Sequence, residues 1–343
     1  MELKQNISLQ PFNTFGIDVS ARYFAEFNSV DELQSLVATK EFRGNSMILG
    51  GGSNILFVKD FDGMVMKNNI KGIKVVHEDL NHVHLQVGAG EIWHDFVKYC
   101  ITKTLAGLEN LSLIPGKVGA SPMQNIGAYG VEIKNLFHSL EAFHLRDKKL
   151  VSLSANDCEF GYRDSIFKRK YKDQFSIINV TYRLNKIPVY NTSYGAIEQE
   201  LERMGVKDLS IAAISQAVIN IRSSKLPDPA KIGNAGSFFK NPHISGKQFY
   251  ELKSHFPSVV GYPQENGDVK LAAGWLIEHC GPQEGVSWKG FRRGDAGCHQ
   301  WQSLVLVNYS NATGKEIYDL SEEILQSVRK KFGVLLEREV NII

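Results

Sequence analysis

Apolar and polar residues change their spacing along this chain, and each change marks an element. Val83, Leu85 and Val87 alternate with polar neighbours, the period of a half-buried strand. Residues 47–49, 55–58, 64–67, 175–184 and 304–308 read as further strands, rich in β-branched or large apolar side chains. Residues 141–145 and 150–152 form a predicted hairpin turned through Arg146-Asp-Lys-Lys149. Elsewhere the spacing is helical: Leu33, Leu36 and Val37; Ile92, Phe96, Val97 and Cys100; Ile211, Ile214, Val218 and Ile221; Phe249, Leu252 and Phe256; Ile317, Leu320, Ile324 and Val328. Capping boxes open the first, fourth and fifth of these, at Ser29-Val-Asp-Glu32, Ser245-Gly-Lys-Gln248 and Thr313-Gly-Lys-Glu316, and Ser210 caps the third. A polar helix is predicted from Gly195 to about Met204 and a buried one over 271–280. The tail, residues 334–340, alternates like a strand, which would put Glu337 and Glu339 on the same side. Strands and helices in this mixture predict an all-β or α+β core, without internal repeats.

Glycine interrupts the pattern in two places that matter. Gly50-Gly-Gly-Ser-Asn54 lies between two predicted strands, whereas a dinucleotide fingerprint needs a strand, a turn and then a helix. Ile114-Pro-Gly-Lys-Val-Gly-Ala-Ser-Pro-Met-Gln-Asn-Ile-Gly-Ala-Tyr-Gly130 carries four glycines and two prolines, with little charge. Such a segment cannot hold a regular helix or strand. It suits a backbone that wraps a flat or phosphorylated ligand with N–H groups. Backbone at 50–54 and 116–120 would then cradle a pyrophosphate, as in FAD; a pair of tight turns between strands is the competing reading. Gly88-Ala-Gly-Glu-Ile-Trp93 has Trp93 where a fingerprint's third glycine belongs, and reads as a strand-to-helix turn. Lys225-Leu-Pro-Asp-Pro229 breaks the chain, because two prolines so close forbid a helix, and a second domain begins near it.

Composition narrows the class. In 343 residues there are 39 basic and 37 acidic side chains, a net charge of +2, which argues against bulk nucleic-acid binding. No apolar run reaches membrane-spanning length, and the first residues lack a signal-peptide core, so a cytoplasmic location is expected. Cys100, Cys158, Cys280 and Cys298 are scattered, as in a reduced protein. His82 and His84 share a predicted strand face, better read as a polar face than as a metal site. The basic run Lys168-Arg-Lys-Tyr-Lys172 reads as a solvated edge.

Four polar residues stand in unusual company. Arg163 lies in Phe160-Gly-Tyr-Arg-Asp-Ser-Ile-Phe167, where a partly buried guanidinium needs an anion or a structural partner such as Asp164. Ser237 sits between Ala-Gly and two phenylalanines, as a proton donor or a turn serine. Glu339 lies on the apolar tail, and Lys225 beside the prolines could hold a phosphate or face solvent. These residues alone define only a soluble enzyme or a nucleotide-binding protein.

Taken in order, the motifs resemble a known family. Asn13-Thr-Phe-Gly16, Leu49-Gly-Gly-Gly-Ser-Asn-Ile-Leu56, Gly107-Leu-Glu-Asn-Leu111, Gln124-Asn-Ile-Gly-Ala-Tyr-Gly130, Gly161-Tyr-Arg-Asp-Ser165, Lys225-Leu-Pro-Asp-Pro229, Gly233-Asn-Ala-Gly-Ser-Phe-Phe-Lys-Asn-Pro242 and Lys270-Leu-Ala-Ala-Gly-Trp-Leu-Ile277 resemble the UDP-N-acetylenolpyruvoylglucosamine reductases nearly end to end. Tyr194-Gly195 and its surroundings resemble the subtype whose tyrosine loop folds over the substrate.

That resemblance implies an α+β fold, with a vanillyl-alcohol-oxidase-type FAD-binding region followed by a C-terminal α/β substrate-binding domain. It divides the chain at 1–65, 66–209 and 210–343, the middle segment carrying the tyrosine loop and the last returning its tail to the active site. Expected at FAD are Gly50, Gly51, Gly52, Ser53, Asn54, Ile114, Pro115, Gly116, Gly119, Ser121, Pro122, Asn125, Ile126, Gly127, Ala128 and Ile178. The first glycine loop has no histidine, so the flavin is expected to be non-covalent. NADPH is the implied reductant and UDP-N-acetylglucosamine enolpyruvate the substrate, held by Tyr129, Tyr194, Lys225, Asn241 and Gln302. Arg163 and Glu339 would stabilise the charge pushed into the substrate carboxylate, with the Glu339 pKa raised, and Ser237 would donate a proton. Arg338 stands where a proline is common, and Asn341 where an arginine often follows the glutamate, with Glu337 as the alternative acid. A monomer is expected, acting on small molecules, with no nucleic-acid or membrane partner. Two other readings compete: a sugar or lactone oxidase of the same superfamily, and a nucleotide-binding protein with a degraded site.

Overall fold

The structure is a computed structural model that describes residues 2–43 and 45–343. The chain resolves into two compact units. One comprises residues 1–7, 20–52 and 62–224; the other comprises 8–19, 53–61 and 225–343. The chain therefore passes from one unit to the other inside the first glycine loop, between Gly52 and Ser53, and again between Ser224 and Lys225. The expected division at residue 65 falls within the strand Phe61–Asn68.

Two larger sheets form the frame of the first unit. In one, Asn45–Leu49 runs parallel to Phe61–Asn68, which neighbours Ser20–Phe27. The other is a five-stranded antiparallel sheet ordered Lys149–Ser154, Phe137–His144, Phe175–Asn185, His82–Gly88, Ile73–Glu78. The predicted hairpin is its first pair, with Ala142 opposite Val151 and Phe143 opposite Leu150. Helix Trp93–Thr102 buries Trp93, Phe96, Val97 and Cys100 against this sheet, in one core with Val83, Leu85, Val87 and Tyr182. Trp93 meets the Tyr182 ring edge to face and Phe96 meets it at a tilt, and the Trp93 indole N–H donates to the Leu111 carbonyl at 2.9 Å. Ile92, expected in the apolar stripe, is instead the helix N-cap and 48% exposed, because the helix begins one residue later. Helix Ile211–Lys225 stays with this unit up to Ser224. Its Ile214, Ala217, Val218 and Ile221 share a core with Ile197 and Leu201 of helix Gly195–Arg203.

The second unit has a sheet ordered Gly233–Ser237, Val305–Asn308, Ala296–Cys298, Arg292–Arg293, and a smaller one of His243–Ser245, Asp268–Leu271 and Gly261–Pro263. Helix Gly314–Phe332 packs on the first of these and buries Ile317, Leu320, Ile324 and Val328. Both capping boxes form here as expected, at Ser245 and Thr313. The buried helix predicted over 271–280 is shorter, Ala273–Glu278, because Asp268–Leu271 is taken up as a strand between two partners. The tail departs from a simple strand. Burial alternates from Val334 to Glu337, then slips phase, so that Glu337 is exposed while Glu339 and Val340 are both buried. Only Asn341–Ile342 pairs as a strand, parallel to Ile55–Leu56. Among the described residues no helix is long and apolar enough to cross a membrane.

Candidate active site

The glycine loops of the first unit press backbone on backbone. A Cβ added at Gly51 would lie 2.9 Å from the Gly116 Cα, and one at Gly119 would lie 2.6 Å from the Ala89 Cβ. The Gly119 N–H donates to the Ala89 carbonyl at 2.9 Å, and the Ala89 N–H to Ile178 at the same distance. Trp93 and Val118 complete the lacing, donating to Gly116 and Glu91. Gly88-Ala-Gly90 is the tight turn expected, since side chains at Gly88 and Gly90 would strike the backbone of residues 69–71. Of the residues expected at FAD, Gly51, Gly116, Gly119 and Ile178 thus lie where main chain packs on main chain. Glycine permits this close backbone packing, and the N–H groups of residues 118–121 are spent within the fold, on the carbonyls of Glu91, Ala89, Lys117 and Val118. Ser53 and Asn54 belong to the second unit.

The loop beyond Pro122 is held by Asn125. Its backbone is left-handed, with φ +45°. Its amide donates to the Glu132 carboxylate and the Gly161 carbonyl, both at 2.9 Å, and its carbonyl accepts from the Lys134 N–H. Ile126 bonds back to Ser121, and Gly127–Ala128 forms a two-residue ladder with Val131–Glu132. The Ser121 hydroxyl is committed inside the core, 2.6 Å from the Tyr182 hydroxyl, so this residue shapes the loop from beneath.

Through Gly161, Asn125 also fixes the turn that carries Arg163. Gly161 and Asp164 exchange backbone hydrogen bonds, and Arg163 at the apex has φ +51°, an uncommon conformation for a bulky residue. The Asp164 carboxylate accepts from Arg169, which also holds Glu159. Thus Arg169, from the run expected to be a solvated edge, fastens the turn.

Arg222 was not apparent from the sequence. It is half-buried near the end of helix Ile211–Lys225, and its Nε donates to the Leu113 carbonyl at 3.2 Å. Burial lowers its pKa, with repulsion from Arg163 adding to the effect, while Tyr129 favours its charged form. The Tyr129 ring meets Tyr194 edge to face at 5.4 Å, and burial raises the Tyr129 pKa. Asn110 ties the two aromatic loops together by donating to the Tyr129 and Asn191 carbonyls. A buried Arg222 guanidinium beside Tyr129 and under the influence of Arg163 makes a site that an anion would relieve.

Leu113, which precedes the long loop, is gripped from both sides. Besides accepting from Arg222, it donates its N–H to His94 Nδ1 at 3.0 Å, and its own φ is +58°. Burial first, and then Lys98, lower the His94 pKa below its usual value. Below about pH 6.5 the unfolded chain therefore binds a proton that the fold resists. Stability from this group is complete above that pH and is lost as pH falls through the folded pKa. His94→Gln keeps an acceptor without a titrating ring. Its thermal midpoint should fall less steeply below pH 6.5 than that of the parent, and identical slopes would dismiss the effect.

In the second unit the tail brings Glu339 to the strand of Ser237. The Glu339 N–H donates to the Phe238 carbonyl at 2.8 Å, and Arg338 bridges Phe239. Glu339 is 9% exposed and Ser237 is half-buried at the strand end. The Asn54 amide donates to the Glu339 carbonyl, and Asn341 returns two bonds to the Asn54 carbonyl, at 3.1 and 2.9 Å. Arg338 points away onto helix Gly314–Phe332, with Nε on Ser321 at 2.9 Å, Nη2 on Glu322 at 2.7 Å and its guanidinium over the Tyr318 ring. The two residues that depart from the common pattern, Arg338 and Asn341, thus anchor the tail on either side of Glu339. Glu337, the alternative acid, is exposed and paired with Lys240 at 2.5 Å. Asn241 and Gln302 each reach the start of helix Ala273–Glu278. The Asn241 carbonyl accepts the Ala273 N–H at 3.0 Å, and the Gln302 side chain lies against Gly274. Lys225 is exposed at the end of its helix.

Residues 21–154 match the family model for an FAD binding domain. That match gives the chain an FAD binding domain. Residues 228–343 match the model for the C-terminal domain of UDP-N-acetylenolpyruvoylglucosamine reductase. Enzymes of that name from Amoebophilus asiaticus, Pseudomonas savastanoi and Flavobacterium johnsoniae are 51%, 48% and 46% identical. Each alignment covers the whole of this chain and 99–100% of the relative. The chain belongs to the UDP-N-acetylenolpyruvoylglucosamine reductase family. A solved reductase from Thermus caldophilus, 21% identical, shares the fold with a TM-score of 0.69 over 100% of this chain and 99% of its own.

Proposed function

We propose that the chain reduces UDP-N-acetylglucosamine enolpyruvate to UDP-N-acetylmuramate with electrons from NADPH, in the cytoplasm and as a monomer. The observation that carries this reading is the end-to-end likeness to curated reductases, at 51% identity over the full chain. FAD, when bound, supplies the chemistry of a hydride relay from the nicotinamide to the terminal vinyl carbon of the enolpyruvyl ether. Everything else falls to protein groups. As hydride arrives, negative charge gathers on the substrate carboxylate as an enediolate. Arg163 meets that charge as a fixed cation, its turn fastened by Asn125 and Arg169. Glu339, buried on the anchored tail, shares the same task and is best suited to it when protonated. Ser237 then gives its hydroxyl proton to the carbon bearing the ether oxygen. Tyr129, Tyr194, Lys225, Asn241 and Gln302 hold the nucleotide sugar, the lysine suiting its pyrophosphate.

Arg222 joins this set as a second cation for an anionic group of the substrate. Arg222→Met removes the charge at similar length. Substrate affinity, read from the absorbance change of the bound flavin, should fall about tenfold or more, the worth of one charged hydrogen bond. Unchanged affinity would assign Arg222 to holding Leu113 alone. The reaction itself is tested by incubating protein, NADPH and UDP-N-acetylglucosamine enolpyruvate and weighing the product. A nucleotide sugar heavier by two hydrogens, formed one for one with NADP, is expected. Oxygen consumption with simple sugars instead would favour the oxidase reading, and FAD binding without turnover would favour a degraded site.

A further inference from the structure

We propose that Asn234 and Gly236 form a tethered bulge that aims the Ser237 hydroxyl; the proposal rests on Ser237 being the proton donor. In the antiparallel pair of Gly233–Ser237 with Val305–Asn308, Asn234 stands opposite Val307 and Ser237 opposite Val305. Three steps on one strand therefore match two on the other. The extra residue bends the strand and turns the following side chain away from the regular alternation. Gly236 adopts φ +70°, and a Cβ added to it would meet nothing within 4 Å. Glycine is required there for its torsion, not for space.

Asn234 closes the bulge. Its side-chain carbonyl accepts the Gly236 N–H at 3.0 Å, and its amide donates to the Pro227 carbonyl at 3.1 Å and the Ile232 carbonyl at 2.8 Å. Its main chain is clamped by Thr14, donating to the Thr14 carbonyl at 3.0 Å and accepting from the Thr14 hydroxyl at 2.6 Å. Asn234 is 2% exposed. Only an amide supplies donors and an acceptor together at such a site, and a satisfied buried network is rigid. Beyond Ser237, Phe238 donates to Leu304 at 2.7 Å and accepts from Glu339. The serine is thus held between two fixed peptides, leaving the rotation of its own side chain. The same asparagine grips Pro227, two residues past Lys225, so one knot sets both the substrate-holding lysine and the donor.

Fixing the hydroxyl matters because its proton must reach one face of the enediolate. The Ser237 O–H bond breaks, the enediolate electron pair forms the new C–H bond, and solvent later returns a proton to the serine oxygen. A loosened serine yields this role to water, which is slower and reaches either face. A misplacement of about 1 Å is enough to cost about 100-fold in rate.

The test uses the FAD-loaded protein under anaerobic conditions, reduced with NADPH and then mixed with UDP-N-acetylglucosamine enolpyruvate. Gly236→Ala and Asn234→Ala are each expected to reduce at the parent rate. Both should reoxidise about 100-fold more slowly and give both configurations at the new stereocentre. Thr14→Val should move in the same direction, and Thr14→Ser, which keeps the hydroxyl, should restore the parent behaviour. Should Asn234→Ala fail to fold, Gly236→Ala carries the test, since its methyl touches no atom. Parent-rate reoxidation to a single configuration in Gly236→Ala would overturn the proposal, as would equal slowing of both half-reactions. Ser237→Ala, run alongside, separates the two claims. If it reoxidises normally, the proton-donor reading fails; if it is blocked while Gly236→Ala is not, only the bulge fails.

Discussion

Gly51→Val is expected to yield a folded protein that no longer retains FAD. Even a methyl group at this position would come 2.9 Å from the Gly116 Cα, and main chain cannot step aside as a flexible side chain would. The valine forces the two glycine loops apart, and with them the segments expected to hold the cofactor. Overpacking of this kind costs about 1–3 kcal/mol, or about 5- to 150-fold in FAD affinity when the strain is relieved in the apoprotein. The fold should survive, because the core of the first unit is built from the five-stranded sheet and helix Trp93–Thr102. Fluorescence quenching of FAD by apoprotein gives the affinity, and circular dichroism confirms the fold. Gly195→Ala is the control, since a Cβ there meets nothing within 4 Å. Parent-like FAD affinity in Gly51→Val would show that the glycine loops are ordinary turns.

The second large effect concerns Ser237. Ser237→Ala should keep its flavin and accept electrons from NADPH at the parent rate, yet reoxidise with substrate about 100- to 10,000-fold more slowly, the usual worth of a positioned general acid. The asymmetry follows from the chemistry: reducing the flavin needs no proton at the substrate carbon, whereas completing the product does. Anaerobic stopped-flow absorbance reads both half-reactions in one preparation. Equal slowing of the two would reduce Ser237 to a structural residue.

The sequence revealed most where the cause is local. Ser29, Ser245 and Thr313 each cap the helix that their spacing announced; the full box closes at Ser245 and Thr313, since it involves only four consecutive residues, whereas Glu32 accepts from the Asn28 N–H instead of that of Ser29. The glycine loops were conspicuous for the same reason, since glycine and proline declare their backbone freedom without help from neighbours. What stayed hidden depends on distant chain. Arg222 looks like an ordinary helix-end cation until Leu113, 109 residues away, covers it and Arg163 approaches. The tail reads as an even alternation, but Arg338 bridges Phe239 and Asn341 bonds Asn54, and those contacts slip the phase that buries Glu339 and exposes Glu337. Asp268–Leu271 carries the apolar content of a helix, yet two strand partners claim it. The bulge at Gly236 was equally invisible, because it exists only relative to Val305–Asn308.

The most direct measurement of the central claim is anaerobic absorbance of the purified protein. It should be yellow, NADPH should bleach it, and UDP-N-acetylglucosamine enolpyruvate alone should restore the colour in an amount equal to the flavin present. A protein that bleaches with NADPH but stays colourless after that substrate would contradict the account and point to another electron acceptor.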